Sequence, residues 1–277
     1  MNILVLGSNG MAGHIITKYL IGKGYNVVTF ARSNADITID IEDQSSTIDF
    51  FNSIKNEYDF IINCIGLLVK DSINRPDRAA IVNGWFPHMI ENAIKNSKTK
   101  LIHLSTDCVF DGKEGYYSED SIHTETNWYG KSKSYGEVNN DKDITFRMSI
   151  IGTEIKSNGT GLLNWVLTNK DTELSGWENA LWNGITTLQL AKCIDQYITN
   201  PTIAGVYHLV NNSVYINKYE LLCKINDVFE LGKTINKTQG PKSVNKILTD
   251  TRNAVDFNIP NYDIQLKELK DFTSNLI

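Results

Sequence analysis

Tyr129 and Lys133 stand four residues apart, the spacing that sets a phenol and an ammonium on one face of a helix. A phenol can hand a proton to an oxygen that is gaining negative charge, which is general-acid chemistry. A chain with 12 tyrosines is expected to hold about one YxxxK pair by chance, and Tyr19 with Lys23 forms another inside an apolar helical stripe. Setting separates the two. The pair at 129 follows Leu104-Ser105-Thr106-Asp107, an apolar strand whose end delivers a hydroxyl.

A second chemistry is written at the start of the chain. Gly7-Ser8-Asn9-Gly10-Met11-Ala12-Gly13 joins an apolar strand to a helical pattern with glycines at GxxGxxG spacing. Such glycines serve a tight turn, a close backbone approach to a pyrophosphate and close helix–strand packing, and the helix N-terminus offers free N–H groups to the anion. The spacing predicts a dinucleotide site with Gly7, Asn9, Gly10 and Met11 at the phosphates. An acid after the second strand would hold a ribose 2′-hydroxyl, but Phe30-Ala31-Arg32-Ser33 offers an arginine. Arg32 can fork a 2′-phosphate, which favours NADPH and leaves NADH open. Asp40 and Ile41 are expected near the adenine, and Cys64, Ile65 and Gly66 at the strand end the cofactor passes.

These residues need a frame, and the pattern predicts one. Ile3–Leu6, Val27–Phe30, the alternating Ile37, Ile39 and Ile41, Phe60–Cys64, Leu101–Leu104 and Ile144–Met148 read as strands. Helical patterns fall at 11–20, about 46–55, about 78–96 and about 129–138 between them. Strands alternating with helices give right-handed crossovers and a parallel sheet covered on both faces, an α/β, doubly wound, Rossmann-like architecture. The pattern loosens after Gly152. The expected division is a nucleotide-binding domain over 1–152 and a smaller, partly helical substrate region over 153–277. That region holds helices near 162–167, 188–198 and 219–229 around one strand at 205–209.

Composition removes other classes. With 277 residues, 41% hydrophobic and 21% charged, the chain can bury a sizeable core and is not disordered. A net charge of -5 without a block of like charges argues against nucleic acid or a membrane surface as partner. No apolar run approaches bilayer length, and a strand beginning at Asn2 leaves no room for a signal peptide, so a cytoplasmic protein is expected. Cys64, Cys108, Cys193 and Cys223 are too scattered for a disulfide framework or a metal site, so reduced thiols and no metal are predicted. His14, His88, His103, His123 and His208 show no triad or ligand spacing, although His123 lies just before the helix of Tyr129.

Taken together, the glycine loop, Asn63-Cys64-Ile65-Gly66, Ser105-Thr106-Asp107-Cys108-Val109-Phe110-Asp111-Gly112, Tyr129-Gly130-Lys131-Ser132-Lys133 and Phe146-Arg147-Met148-Ser149 resemble the extended short-chain dehydrogenase/reductases. Within them the order resembles the dTDP-4-dehydrorhamnose reductase (RmlD-like) family. The resemblance implies reduction of a 4-keto group on a nucleotide-linked 6-deoxysugar for surface polysaccharide. It implies Tyr129 as proton donor, Lys133 lowering the phenol's pKa and holding the nicotinamide ribose, and Thr106 orienting the ketone oxygen. It places Asp107, Val109, Trp182 and Asn183 on the substrate side. Two segments depart from the pattern. Ile150-Ile151 stands where a sugar-packing tryptophan is usual, and Gly240-Pro241-Lys242 where Arg-Pro is frequent, so Lys242 or Arg252 is expected to neutralise phosphate and Trp182 to replace the ring. These departures open the substrate to other 4-ketosugars, including a UDP-linked N-acetylated one. The competing readings are an NAD-dependent epimerase or dehydratase and a non-catalytic, cofactor-binding regulatory subunit; a homodimer is left open.

Overall fold

In the first strand, β1 (Asn2–Leu6), Ile3 and Val5 enter the core on one face and Leu4 and Leu6 the core on the other, all fully buried. That is why the run shows no polar alternation. A computed structural model, which describes residues 1–155 and 159–274, continues with α1 (Met11–Gly22), β2 (Asn26–Ala31), β3 (Ile37–Thr38), α2 (Gln44–Ser53) and β4 (Phe60–Asn63). Then come α3 (Val69–Asn74), α4 (Pro76–Ala79), α5 (Phe86–Ile94), β5 (Lys100–Thr106), α6 (Trp128–Tyr135) and β6 (Ile144–Met148). The remainder runs β7 (Ile150–Ile151), α7 (Leu162–Thr168), β8 (Glu173–Trp177), β9 (Ala180–Trp182), β10 (Ile185–Thr186), α8 (Thr187–Thr199), β11 (Gly205–His208), β12 (Ile216–Asn217), α9 (Lys218–Val228), β13 (Thr234–Thr238), β14 (Val244–Asn245) and α10 (Tyr262–Ser274).

Seven strands form one parallel sheet in the order β11-β6-β5-β4-β1-β2-β3. The chain starts in the middle, winds outward through β2 and β3, then returns to β4 and winds the other way. The carboxyl ends of β1 and β4 therefore border the crevice where such sheets bind ligands. Ile15, Ile16 and Leu20 of α1 pack with Leu190, Ala191 and Ile194 of α8 on one face. Phe51 of α2 and Phe86 and Ile90 of α5 cover the other.

The doubly wound sheet is as expected; three details are not. Only Ile37 and Thr38 pair in β3, the ladder ending where Ile39 N donates to the Ala31 carbonyl at 3.2 Å, while Ile39 and Ile41 still pack toward the core. The helix expected over 78–96 is interrupted by a π-helical turn over Ala80–Trp85. Pro87, at the start of α5, has no N–H to donate and its ring crowds the carbonyl four residues back, that of Asn83, so the helix widens there. Finally, α8 and β11 do not belong to a separate substrate region. They return to the sheet, β11 pairing with β6 at its edge, and the small sheets β12-β9-β14 and β13-β8, with α9 and α10, make up the rest of the region after 152. No helix among the described residues is long and apolar enough to cross a membrane.

Candidate active site

Gly7 adopts φ +73°, and a Cβ there would meet Ile65 Cγ1 at 3.0 Å. At Gly13 a Cβ would stand 2.1 Å from the Gly7 carbonyl oxygen, so α1 closes onto β1 only with glycine at that position. Gly10 caps α1 without a side-chain hydrogen bond, which leaves the first amides of the helix to an anion. A cleft of about 250 Å³ opens beside this loop, lined by Gly7, Asn9, Gly10, Arg32, Asp40, Ile41, Cys64, Ile65 and Gly66. Met11 is outside it, its sulfur turned toward Gly161. Arg32 is exposed and makes no hydrogen bond or ion pair among the described residues.

Glu42 and Arg78 also line this end of the cleft, joined as a bidentate pair that includes a 2.8 Å bond from Arg78 Nε to Glu42 Oε2. The pair pulls the Glu42 carboxyl below its ordinary value. Neither residue carried a sequence signal, since they come from a loop and a short helix that only the fold brings together. The residues present fit a dinucleotide: a bare-backbone cradle for a pyrophosphate and one unpaired guanidinium where a 2′-phosphate would lie.

Along the sheet's carboxyl edge, successive residues of β5 face opposite ways. Ser105 turns into the interior and donates to Glu137 Oε1 at 2.5 Å. Thr106 turns the other way, donating to Asp107 Oδ1 at 3.2 Å and standing close enough to the Tyr129 phenol to lower its pKa. Geometry thus brings Thr106, not Ser105, to Tyr129. Asn127 begins α6 by accepting from Gly130 N at 2.9 Å, and Gly136 ends it two residues short of the expected Val138. Gly136 has no room for a side chain, because a Cβ would fall 1.8 Å from the Asn83 carbonyl oxygen. Asn83 itself, buried in the π-helical turn, carried no sequence signal. Its amide accepts from Leu67 N at 2.7 Å and donates to Ser132 Oγ at 3.1 Å, tying the loop after β4 to the helix of Tyr129 and Lys133.

Lys133 is buried and donates to the Leu104 carbonyl at 2.6 Å. Burial lowers its pKa to about 8, against the pull of Glu137 and Cys64. Tyr129 departs from expectation. Burial and then Cys108 raise the phenol above its usual value, and only Thr106 works to lower it. The lowering expected from Lys133 is absent because its ammonium is turned to Leu104.

Beneath the helix lies a buried polar network that fixes its far end. Arg147 forks Glu137 at 2.8 and 2.6 Å and donates to His208 Nε2 at 2.8 Å and His123 Nε2 at 2.9 Å. Each imidazole therefore carries its proton on Nδ1, which His123 directs to Ser134 Oγ and His208 to the Thr249 carbonyl. Burial holds both histidines neutral, His208 down to about 4. His123, noted for its place just before the helix of Tyr129, is a strut of this network.

The substrate side differs most from expectation. Val109 is fully buried with Phe110, Tyr117 and Leu248 in a small core of its own. Asn183 spends its amide on the backbone of Leu248, at 2.7 and 3.0 Å. Arg252 stacks on Tyr207 and reaches Asp120 beside Gly205, at the amino end of β11; this is the wrong end of the sheet for a phosphate. Lys242 is exposed on the loop between β13 and β14. Trp182 is buried at 3% exposure and stacks on Tyr262 with ring centroids 5.4 Å apart. Two lysines the sequence did not reveal, Lys218 and Lys246, have the Asp107–Cys108 turn among their nearest charges. Lys218 Nζ lies 4.7 Å over the Trp182 ring without a hydrogen bond or ion pair among the described residues, and burial lowers its pKa. Lys246 is 3.9 Å from Glu125; burial opposes its charge, but Cys108 and Asp107 raise its pKa.

Comparison with known proteins places this arrangement. The dTDP-4-dehydrorhamnose reductase of Mycolicibacterium smegmatis is 31% identical over 138 residues, 49% of this chain and 40% of that protein. Methionine adenosyltransferase 2 subunit beta of Xenopus tropicalis is 25% identical over 246 residues, 82% of this chain and 72% of the relative. Among solved structures, a dTDP-4-dehydrorhamnose reductase of Clostridium acetobutylicum matches with a TM-score of 0.83 at 21% identity, covering 99% of this chain and all of that one. A Bacillus anthracis dTDP-4-dehydrorhamnose reductase, solved with NADP, matches at 0.82 and 20% identity over 98% and 99% of the two chains. At those identities the structures establish the shared fold. A family model described as the RmlD substrate binding domain matches residues 1–254, and the chain belongs to that family.

Proposed function

We propose that the protein reduces the 4-keto group of a nucleotide-diphosphate-linked 4-keto-6-deoxysugar with NADPH. The observation that carries this reading is the convergence of Thr106, Tyr129 and Lys133 at the carboxyl edge of the sheet that also holds the Gly7–Gly13 cradle. A nicotinamide cofactor, when bound, supplies the hydride. Tyr129, kept fully protonated by its raised pKa, gives its proton to the ketone oxygen. Thr106 orients that oxygen, and Lys133 holds the ribose. Arg32 favours the 2′-phosphorylated cofactor. Lys218 and Lys246, rather than Lys242 or Arg252, provide positive charge for the sugar's diphosphate, with Trp182 as the apolar wall behind Lys218.

NADPH oxidation measured against dTDP-, UDP- and GDP-linked 4-ketosugars tests the reading. Turnover with one nucleotide series supports it, and none with any, in protein that binds NADPH, defeats it. The second reading is a subunit role, suggested by the name of the Xenopus relative. The complete set of Thr106, Tyr129 and Lys133 favours catalysis, since a subunit that only binds cofactor has no use for a proton donor.

A further inference from the structure

Behind Lys133 lies a relay of side chains whose hydrogen-bond polarity is fixed. Asn63, at the end of β4, accepts from Ile65 N through Oδ1 at 3.1 Å. Its other end is then the amide nitrogen, and this lies 3.1 Å from His103 Nδ1. The nitrogen can only donate, so His103 Nδ1 accepts and the ring carries its proton on Nε2. Burial keeps His103 neutral, its pKa far below the ordinary value, with Lys133 and His88 acting in the same direction. The Nε2–H therefore points at Lys133 Nζ, 3.5 Å away. An ammonium has no lone pair with which to accept it; an amine has one.

We propose that His103 is a positioning residue for Lys133: Asn63 fixes its tautomer, and the Nε2–H it presents favours the amine form of Lys133, setting the pH at which that lysine gains its charge. The groups facing Lys133 are Cys64 from the end of β4, His103 from β5 and Glu137 from beyond its own helix. Cys64 and Glu137 both favour the charged form. Among these named side chains His103 alone opposes it. The inference rests on Lys133 serving the reaction proposed above, but its mark is in the free protein and needs no substrate.

The test uses nitrogen-15 spectra of the histidine rings and carbon-13 titration of the lysine side chains in the full chain. His103 is assigned by the loss of its signals in His103→Gln, and Lys133 by their loss in Lys133→Ala. The wild type should show His103 as the Nε2–H tautomer from pH 6 to 9, and Lys133 titrating near 8, below the ordinary value of about 10.4. Asn63→Leu releases the ring to turn its lone pair toward Lys133. In that variant, or in the milder Asn63→Ser if the first does not fold, the Lys133 midpoint should rise by about one unit, the size of one hydrogen bond. An Nδ1–H tautomer in the wild type, an ordinary Lys133 midpoint, or a tautomer change that leaves the midpoint unmoved would each overturn the proposal. A purely structural role moves neither signal. Failure of the catalytic reading would appear as absent turnover with these resonances unchanged.

Discussion

The cofactor side of the cleft and its substrate side are assembled over very different stretches of chain. On the cofactor side, the glycine loop, the ends of β2 and β4, the 39–42 loop and Arg78 line the cleft, all within the first third of the chain, and at Gly7 and Gly13 neighbouring atoms leave no room for a side chain. On the side proposed for the substrate, Asp107 comes from the turn after β5, Trp182 from β9, Lys218 from α9 and Lys246 from beyond β14. The glycine loop, made from consecutive residues, tolerates little change, because its glycines have a steric or conformational duty, as at Gly13. A site made from remote side chains can exchange its members while the sheet beneath stays the same. On the function proposed above, the dinucleotide cradle is fixed by the fold, while the choice between cofactors and the choice of substrate fall to individual side chains such as Arg32 and Lys218.

The largest effect should come from the boundary between the two sides. Tyr129→Phe removes the proton donor and keeps the ring, so turnover should fall by roughly a hundredfold to ten-thousandfold while NADPH affinity, measured by fluorescence titration, stays within twofold. Equal losses in both would place Tyr129 in cofactor binding instead.

How much of this could be read from the sequence follows the same divide. GxxGxxG and YxxxK are short-range patterns, and their meaning survives without knowledge of the fold. Asn183 and Val109 lie in segments that resemble the family, yet their side chains are consumed by Leu248 and by a small core, and no local pattern shows which way a side chain points. Lys218 follows Asn217, whose capping box with Glu220 starts α9. That motif locates the helix but says nothing of the ring the lysine covers. Arg147 had been noted only as part of a motif, because its partners Glu137, His123 and His208 are joined solely by strand order.

Acid should loosen the network shared by the two sides. His208 has a folded pKa of about 4 against an ordinary 6.5, so between these values the unfolded chain binds the extra proton. Its stabilising contribution is complete above about 6.5 and is lost as the pH falls toward 4, at most about 3 kcal/mol. Urea midpoints measured at pH 7 and pH 5 should fall accordingly, and His208→Asn should flatten the difference. A slope that persists unchanged in His208→Asn would assign the acid sensitivity to His14, His103 and His123.

Arg32→Ala tests whether the cofactor side reads the 2′-phosphate. Loss of a charge-assisted pair worth about 1.5–3 kcal/mol should raise KM for NADPH at least tenfold and leave NADH nearly unaffected. Equal changes for both cofactors would remove the contact. On the other side, Lys218→Met keeps a long apolar stem over Trp182 and deletes the charge. The KM for the sugar nucleotide should rise about tenfold, a shift of about 1.4 kcal/mol, with KM for NADPH unchanged. Arg252→Ala, at the opposite end of the sheet, should change neither constant by more than about twofold and stability by less than about 1 kcal/mol, as for an exposed pair.

The central claim is that Tyr129, Lys133 and Thr106 direct a hydride to a sugar ketone. It is tested most directly by incubating the protein with NADPH deuterated at the transferable position of nicotinamide C4 and with the nucleotide 4-ketosugar, then locating the label by mass spectrometry and NMR. The account predicts one deuterium per product molecule, on sugar C4, with none delivered by Tyr129→Phe beyond background. Label remaining entirely on the nicotinamide while the wild-type protein is saturated with both ligands would contradict it.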